Sequence, residues 1–560
     1  MIKKLTIFFL LTLFCLIGMT ASDIEPGADL VLMNGPIYTA DPQDRVVQGM
    51  AVQAGEIVAV GPMMQIRAWI DEETEVIDLK GAFAMPGFHD VHIHALEAGS
   101  TVGGNCWLKT KDDPYAYQKE LLQCAKEAEG TEWVLAYGHD IETLFELKED
   151  PAHVLDRWFP DTPVAVMEQS SHSVWVNSTA LKVAKITGKT PNPIGGIIYK
   201  NKSGQPNGLL LEAAGEKIFN LALQPSKEAY EINRAGLDWA MQELAKNGIT
   251  SIADARVYWK RGWLDVWKKA AKSDALTARV NLGMWAYSDM DDDVQISQLR
   301  SFYENNPRSL LKINQIKIYS DGTLHHTTAA LKQPYQHSMK GVPKKGLYYF
   351  DEHRLKKYIQ ALQPLGYDFH IHAIGDQGVN SALNAIQATK QAKYPMRHRI
   401  THLELVDKSD IPRFNQLGVI ADMQVAGEFT SPKNHHWMEH AIGKRAYQTF
   451  LLKDFVDSGA VVTLSSDWTV SPLSPLTGIY QAVTRSKQSI SRKKALRAYT
   501  INGAYAMRQE TETGSLEVGK KADIVILDQD LLSTPIHQIP KTAVLQTILE
   551  GETVFPFSEN

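Results

Sequence analysis

Cysteine is nearly absent. Only Cys15, Cys106 and Cys124 occur in 560 residues, which excludes a disulfide-built scaffold and a zinc site made of cysteines. Excess positive charge is also missing: 58 Lys and Arg stand against 64 Asp and Glu, for a formal net charge of -6. Nucleic-acid binding ordinarily needs a basic patch, so no nucleic-acid partner is expected. Beyond the N-terminal segment there is no long apolar run, low-complexity tract or obvious repeat. What remains is an ordinary globular balance, 44% hydrophobic and 22% charged. The length suits three or four small domains, or equally one barrel of ~250 residues with additions. Any metal in such a chain must be held by His, Asp, Glu or a modified side chain.

The chain opens MIKKLTIFFLLTLFCLIGMTAS. Lys3 and Lys4 form a positive start, an apolar run follows from about Leu5 to Met19, and Thr20, Ala21 and Ser22 are small. This pattern reads as a secretory signal peptide over residues 1–21. The run is short for a membrane span of ~20 residues, so an uncleaved anchor is the lesser reading. Cys15 is not taken as a lipid-attachment site, because Phe14 precedes it where a small residue is needed. The expected location is periplasmic or secreted, in a bacterial envelope, with no stable membrane span after cleavage. Cys106 and Cys124 would then remain, and the sequence leaves their pairing open.

From Ala28 to about Leu79, short alternating runs broken by turn residues (DLVLMNGPIYT, MAVQAGEIVAVGP, TEVIDLKG) read as antiparallel strands. The C-terminus has the same texture in GSLEVGKKADIVILD and AVLQTILEGETVF. Residues 22–80 and 510–560 are therefore expected to build one small β-sandwich from both termini. Between them, AMPGFHDVHIH, GITSIADA, RVNLGMWAYSD, INQIKIYSDG, YDFHIHAIGD, HRITHLELV, GVIADMQV and AVVTLSSDW are eight apolar runs, most with polar ends. Helix-length segments such as YEINRAGLDWAMQELAKN separate many of them. This is the pattern of an α/β protein with a (β/α)8 TIM barrel over 81–509, whose chemistry lies at the C-terminal strand ends. A stretch at about 105–226, with strand-like pieces EWVLAYGHD and PVAVMEQSS, reads as an insertion after the first barrel strand, covering the mouth.

In His92-Ile93-His94 the two imidazoles fall on one face of a strand and can converge on one ion. The pair alone is weak evidence: with 18 histidines, chance supplies about 0.6 such pairs, and His370-Ile371-His372 is a second. Its setting strengthens it. Lys317, His372, His402 and Asp467 stand within or just after later apolar runs. Singly, a buried His is more often a core residue and an Asp after a strand a turn former; together, at successive strand ends, they read as a metal site. His436 and His440 have helical i, i+4 spacing, but Glu439 is misplaced for HExxH, so a polar loop entering a helix is the better reading. Asp90 is read either as orienting a ligating imidazole or as a solvent contact at a strand end. Asp321-Gly322 and Gly375-Asp376 read first as turns. Trp107, Trp175 and Trp468 are candidates for the pocket wall or for the core.

The ordered set PGFHDVHIH, PVAVMEQSSHSVWVNSTAL, GITSIADA, IKIYSDGTL, HAIGDQGVNSALNAI, RHRITHLELV, SSDWTVSPLSP, AYTINGAYAM and GSLEVGKKADIVILD resembles the amidohydrolase superfamily, most closely its YtcJ-like branch, over nearly the whole mature chain. The resemblance implies a distorted TIM barrel with a small β-sandwich, carrying one or two divalent metals. By motif, His92 and His94 are first-strand ligands, and Lys317 sits where a carboxylated lysine would bridge two metals. His372 and His402 would bind the second metal, and Asp467 is the last-strand aspartate, both ligand and proton carrier. His370, deeper in its strand, is not carried over. His172 in SSHSVWVNS resembles a branch motif and is a candidate substrate contact. The sequence departs from the pattern at His89, where an apolar residue is common, and in Gly138-His139-Asp140, where Gly-Trp-Asp is common.

The chemistry this implies is hydrolysis of a carbon–nitrogen bond in a small molecule, a linear amide first, with zinc the first choice of metal. A lactone or ester hydrolase on the same site is the nearest alternative. An exported binding protein that has lost catalysis is the other, though none of the six ligand positions is missing. Lys317, between Ile316 and Ile318, could form an ion pair, remain a neutral amine or become a carbamate. Oligomeric state is not legible. N-terminal sequencing of envelope protein should find a mature start near Ala21–Ile24; an intact Met1 in a soluble cytoplasmic fraction would overturn export.

Overall fold

The computed structural model describes residues 27–100, 106–127, 132–389 and 395–556. The expected signal peptide lies outside them. Eight parallel strands build the central barrel: β1 (Phe88–Ile93), β2 (Ile249–Val257), β3 (Arg279–Trp285), β4 (Leu311–Tyr319), β5 (Asp368–Ala373), β6 (Arg399–His402), β7 (Ile420–Met423) and β8 (Val462–Leu464). They pair in sequence order, and each coincides with one of the eight apolar runs. Nearly every strand residue is buried, as expected for parallel strands covered on the outside by helices. The barrel is distorted, because β6, β7 and β8 are short and the pairings of β2 with β1 and β3 slip in register.

The outer helices follow from local signals. The helix Lys227–Lys246 starts at Ser226, whose hydroxyl accepts the Ala229 N–H at 2.9 Å. It buries Leu237, Ala240, Met241 and Leu244 against the barrel. The short helix Ala95–Gly99 crosses it at Gly236, and a Cβ on Gly99 would lie 2.1 Å from the Gly236 carbonyl oxygen. Only glycine permits that approach, which holds the chain leaving β1 against the first outer helix.

Strands from both ends of the chain form one hydrogen-bonded sheet: Leu30–Tyr38, Val46–Gln53, Glu56–Gly61, Glu75–Asp78 and Phe83–Pro86, joined by Ile524–Leu527, Val544–Leu549 and Glu552–Phe555. Leu32, Ile37, Met50, Val52, Ile524 and Ile548 cluster on its inner side. The strands are not all antiparallel, as the alternation suggested. Leu30–Tyr38 runs parallel to both Glu75–Asp78 and Phe83–Pro86, because the helical turns of Met63–Trp69 return the chain before Glu75. Phe83–Pro86 pairs with Ile524–Leu527 and leads directly into β1. The sheet is thus tied to the first ligand-bearing strand.

The segment between β1 and β2 has a five-stranded sheet of its own: Val134–His139, Val164–Glu168, Ser173–Val176, Gly196–Lys200 and Pro206–Glu212. Its core contains Leu121, Val154, Leu155, Val166, Trp175 and Leu211. Cys106 and Cys124 form a disulfide that fastens the entry of the insertion to its helix Gln118–Glu127. Closing a loop of this size is worth about 3 kcal/mol in chain entropy. Cys124→Ser should therefore lower stability by about 2–4 kcal/mol, read as a lower thermal midpoint. Reductant should bring the parent to the same midpoint and leave the variant unmoved.

Candidate metal centre

The six proposed ligand positions meet at one place, the C-terminal ends of the barrel strands. Alternation along β1 sends His92 inward, and His94 follows just past the strand end. Lys317 and Tyr319 share one face of β4, and His370 and His372 one face of β5. His94 Nε2 lies 3.0 Å and His92 Nε2 3.4 Å from Asp467 Oδ1. His402 Nδ1 lies 3.9 Å from Asp467 Oδ2, and Lys317 Nζ is 3.3 Å from His92 Nε2. The rings of His372 and His402 are 4.4 Å apart. Donor atoms around a tetrahedral ion bonded at 2.0–2.1 Å sit about 3.3 Å apart, so this spacing fits a divalent cation. The buried His94 and His372 Nδ1 atoms have no hydrogen-bond partner, an expensive state for an interior polar atom unless something binds there.

Backbone strain accompanies the convergence. His402 (φ 76°), Leu403 (φ 53°) and Asp467 (φ 55°) adopt left-handed conformations, which cost L-residues of order 1 kcal/mol or more. At β6 this interrupts the pleat, so that the consecutive residues Thr401 and His402 both reach His92.

Electrostatics suit the same purpose. Burial pushes the Lys317 amine well below the ordinary lysine range, only partly opposed by the Asp467 charge. Burial likewise drives His94 down to about 4, and His372 and His402 well below the usual imidazole value. These shifts favour the neutral imidazole, whose lone pair can hold a metal. Burial would raise Asp467, but its close contacts with His92 and His94 prevail and lower it well below the usual carboxylate range. It is a standing anion, 8% exposed, beside the cavity.

Several supporting residues were not foreseen. His92 Nδ1 meets the Thr401 hydroxyl at 2.7 Å, and that hydroxyl donates to Asp422 at 2.8 Å. Asp422 also accepts from Thr463, Ser465 and Gln424. His370 Nε2 lies 3.1 Å from the same Nδ1, and Arg399 contacts the far side of its ring. This shell holds one nitrogen of His92 and leaves Nε2 facing Asp467 and Lys317. Asp90 does neither of the things expected of it. Fully buried, and raised to about 7 by that burial, it accepts the backbone N–H groups of His92 and Ser466 at 3.2 and 3.1 Å. Asp321 is more than a turn residue: it accepts the N–H groups of Ala330, Ile374 and Gly375 at 2.8–3.0 Å. It thereby ties the loop after β4 to the end of β5.

Above the centre lies a cavity of about 440 Å³. His94, His372, His402 and Asp467 form its floor. Leu324, Ile374, Phe429, Trp437 and Phe450 make much of the wall, and Gln169–His172 of the insertion close one side. Arg256, also in the wall, is paired with Glu97 at 2.8 Å. Burial raises Glu404 in the wall to about 8. His172 lines the cavity and is oriented by Glu212 at 2.6 Å. Of the three expected tryptophans none lines this cavity. Trp175 is fully buried in the insertion core, Trp468 packs on Trp239, and Trp107 borders a smaller neighbouring recess. His436 and His440 are exposed and do not meet at an ion; His440 stacks on His337.

A TIM barrel with a His, Lys and Asp cluster at its C-terminal mouth defines a metal-dependent hydrolase. Residues 75–555 match the model of the Amidohydrolase family, and the chain belongs to that family. It is similar to the putative amidohydrolase YtcJ of Bacillus subtilis, with 28% identity covering 93% of this chain and 98% of that one. It is also similar to the N-substituted formamide deformylase of Arthrobacter pascens, with 26% identity covering 93% and 97%. An uncharacterized metal-dependent hydrolase from Pyrococcus horikoshii shares the fold at a TM-score of 0.71 and 24% identity, covering 91% of this chain and 99% of that one.

The shell around His92 generates a test. Thr401→Val and Asp422→Asn should keep the fold but weaken metal retention by about 10–100-fold, measured by competition with a chelator. Parent-like retention in both variants would remove the shell from the metal's support.

Proposed function

We propose that the protein hydrolyses the carbon–nitrogen bond of a linear amide at a centre held by His92, His94, Lys317, His372, His402 and Asp467. The observation that carries this reading is the position of the Asp467 carboxylate among the histidines. It lies against His94 and His92 and borders a largely apolar cavity. A divalent ion held by these residues, zinc first, would acidify the attacking water toward a pKa of ~7 and polarise the substrate carbonyl. Asp467 takes a proton from the attacking water as the oxygen joins the carbonyl carbon, and gives it to the nitrogen as the C–N bond breaks. The products are a carboxylic acid and an amine. Apolar walls, with Arg256 already paired, favour a neutral substrate with an apolar substituent. His172 is placed to contact that substrate. The deformylase relative supports an amide over an ester.

Carbamate formation at Lys317 is part of the proposal, supported by its burial beside His92. Burial favours the neutral form of its amine; in that form the nitrogen lone pair adds to CO2, losing a proton and leaving a carboxylate as a ligand for one or two ions. Export to the periplasm or beyond is part of the same proposal, supported by the N-terminal pattern and by a disulfide suited to an oxidising compartment.

The test is a panel of N-substituted amides, esters and lactones with metal-loaded enzyme, alongside Asp467→Asn. Amides should be turned over best. The variant should retain much of its metal while losing about 10²–10⁴-fold or more in kcat. Ester or lactone preference would replace the amide reading, and activity within a few-fold of the parent would remove Asp467 as proton carrier.

A further inference from the structure

A second group of ligand-type side chains lies outside the barrel centre. Glu168 ends a strand of the insertion, and His325 and His326 lie on the loop after β4. Glu168 Oε2 is 2.6 Å from His326 Nε2, and Glu168 Oε1 is 4.0 Å from His325 Nε2. One ligand atom from each residue falls within 4.8 Å of the other two. Nothing in the proposed hydrolysis uses these three residues together.

The surroundings hold these groups in a ligand-like pose. His326 Nδ1 meets the Thr323 hydroxyl at 3.0 Å, which leaves Nε2 aimed at Glu168. The hydroxyls of Ser170 and Ser173 each donate to Glu168 Oε2 at 2.9 Å. Such outer contacts orient both imidazole and carboxylate ligands in metal sites. Glu168 and His326 are fully buried, whereas the His325 side chain is 38% exposed and lines the cavity. The cluster is therefore rigid on two sides and open on the third, where an ion can enter and a water can complete its coordination. Burying a carboxylate is costly, and a cation offsets that cost.

We propose that Glu168, His325 and His326 form a second divalent-cation site that fastens the insertion to the β4 loop at the rim of the cavity. Two imidazoles and one carboxylate with an open position form a zinc-type ligand set, also suited to cobalt or nickel. Coordination moves His326 Nε2 and the Glu168 carboxylate apart from 2.6 Å and draws His325 in from 4.0 Å, toward the spacing of about 3.3 Å around a tetrahedral ion. A proton on His326 Nε2 leaves to solvent when that nitrogen takes the ion. The ion bridges insertion and barrel, so its occupancy stiffens the cavity wall formed by Gln169–His172.

The test is zinc titration of the metal-loaded protein, with metal per chain measured by elemental analysis. The parent should take up one further equivalent. His325→Ala and Glu168→Gln should each lose that equivalent, while His92→Ala and His94→Ala keep it. Zinc should raise the thermal midpoint of the parent and not that of His325→Ala; the partly exposed His325 makes this variant the one that spares the core. A crystal of the parent soaked in zinc should show an anomalous peak among the three side chains. Equal stoichiometry in the parent and His325→Ala, or no peak there at a zinc concentration that fills the barrel centre, would overturn the site and leave Glu168 and His326 as a buried charge pair. Either result is independent of whether the barrel centre hydrolyses amides.

Discussion

The joint between the first and last barrel strands is the constraint on which the rest depends. β8 has only three residues and is too short to close the barrel by its own ladder. Closure comes just beyond it, where the Asp467 N–H donates to the His92 carbonyl at 2.8 Å and the His94 N–H to the Trp468 carbonyl at 3.1 Å. Asp90 accepts N–H groups from both strands at once. The same bonds that shut the barrel thus set His92 and His94 beside Asp467. Closure and the candidate centre are one structure, and the left-handed backbone at Asp467 is where the strain of that joint is held.

The interior around this joint is polar. His92, Thr401, Asp422, Gln424 and Ser465 form a connected network in which the donors and acceptors largely satisfy one another. Such a network fixes side-chain positions more tightly than apolar contacts do, because each misplacement leaves a buried group unpaired. Imidazoles pinned in this way need little rearrangement to take up an ion.

The insertion makes the centre into a cavity. Its sheet carries Glu168, His172 and Glu212 to the mouth, where Glu212 holds His172, the Thr328 hydroxyl and the Tyr349 hydroxyl. These contacts cross from the insertion to the loop after β4. The wall above the centre therefore has a defined position relative to the floor.

The eight strands were legible in the sequence because they depend on local periodicity, and His92, His94, Lys317, His372, His402 and Asp467 were legible as polar residues at or near strand ends and through the family resemblance. An apolar run marks a parallel strand, and alternation decides which side chains face in. The supporting residues were not legible. Thr401 lies 309 positions from the histidine it holds. Asp90 and Asp321 looked like strand-end polar residues until the barrel wrapped around them and made backbone amides their partners. Trp175 belongs to the insertion's own core because that segment forms a separate sheet. Glu168 and His326 are 158 positions apart and meet only where the insertion folds back over the β4 loop. Spacing along a chain determines the face on which a side chain lies, but strand order, closure and the path of the insertion decide what stands opposite it.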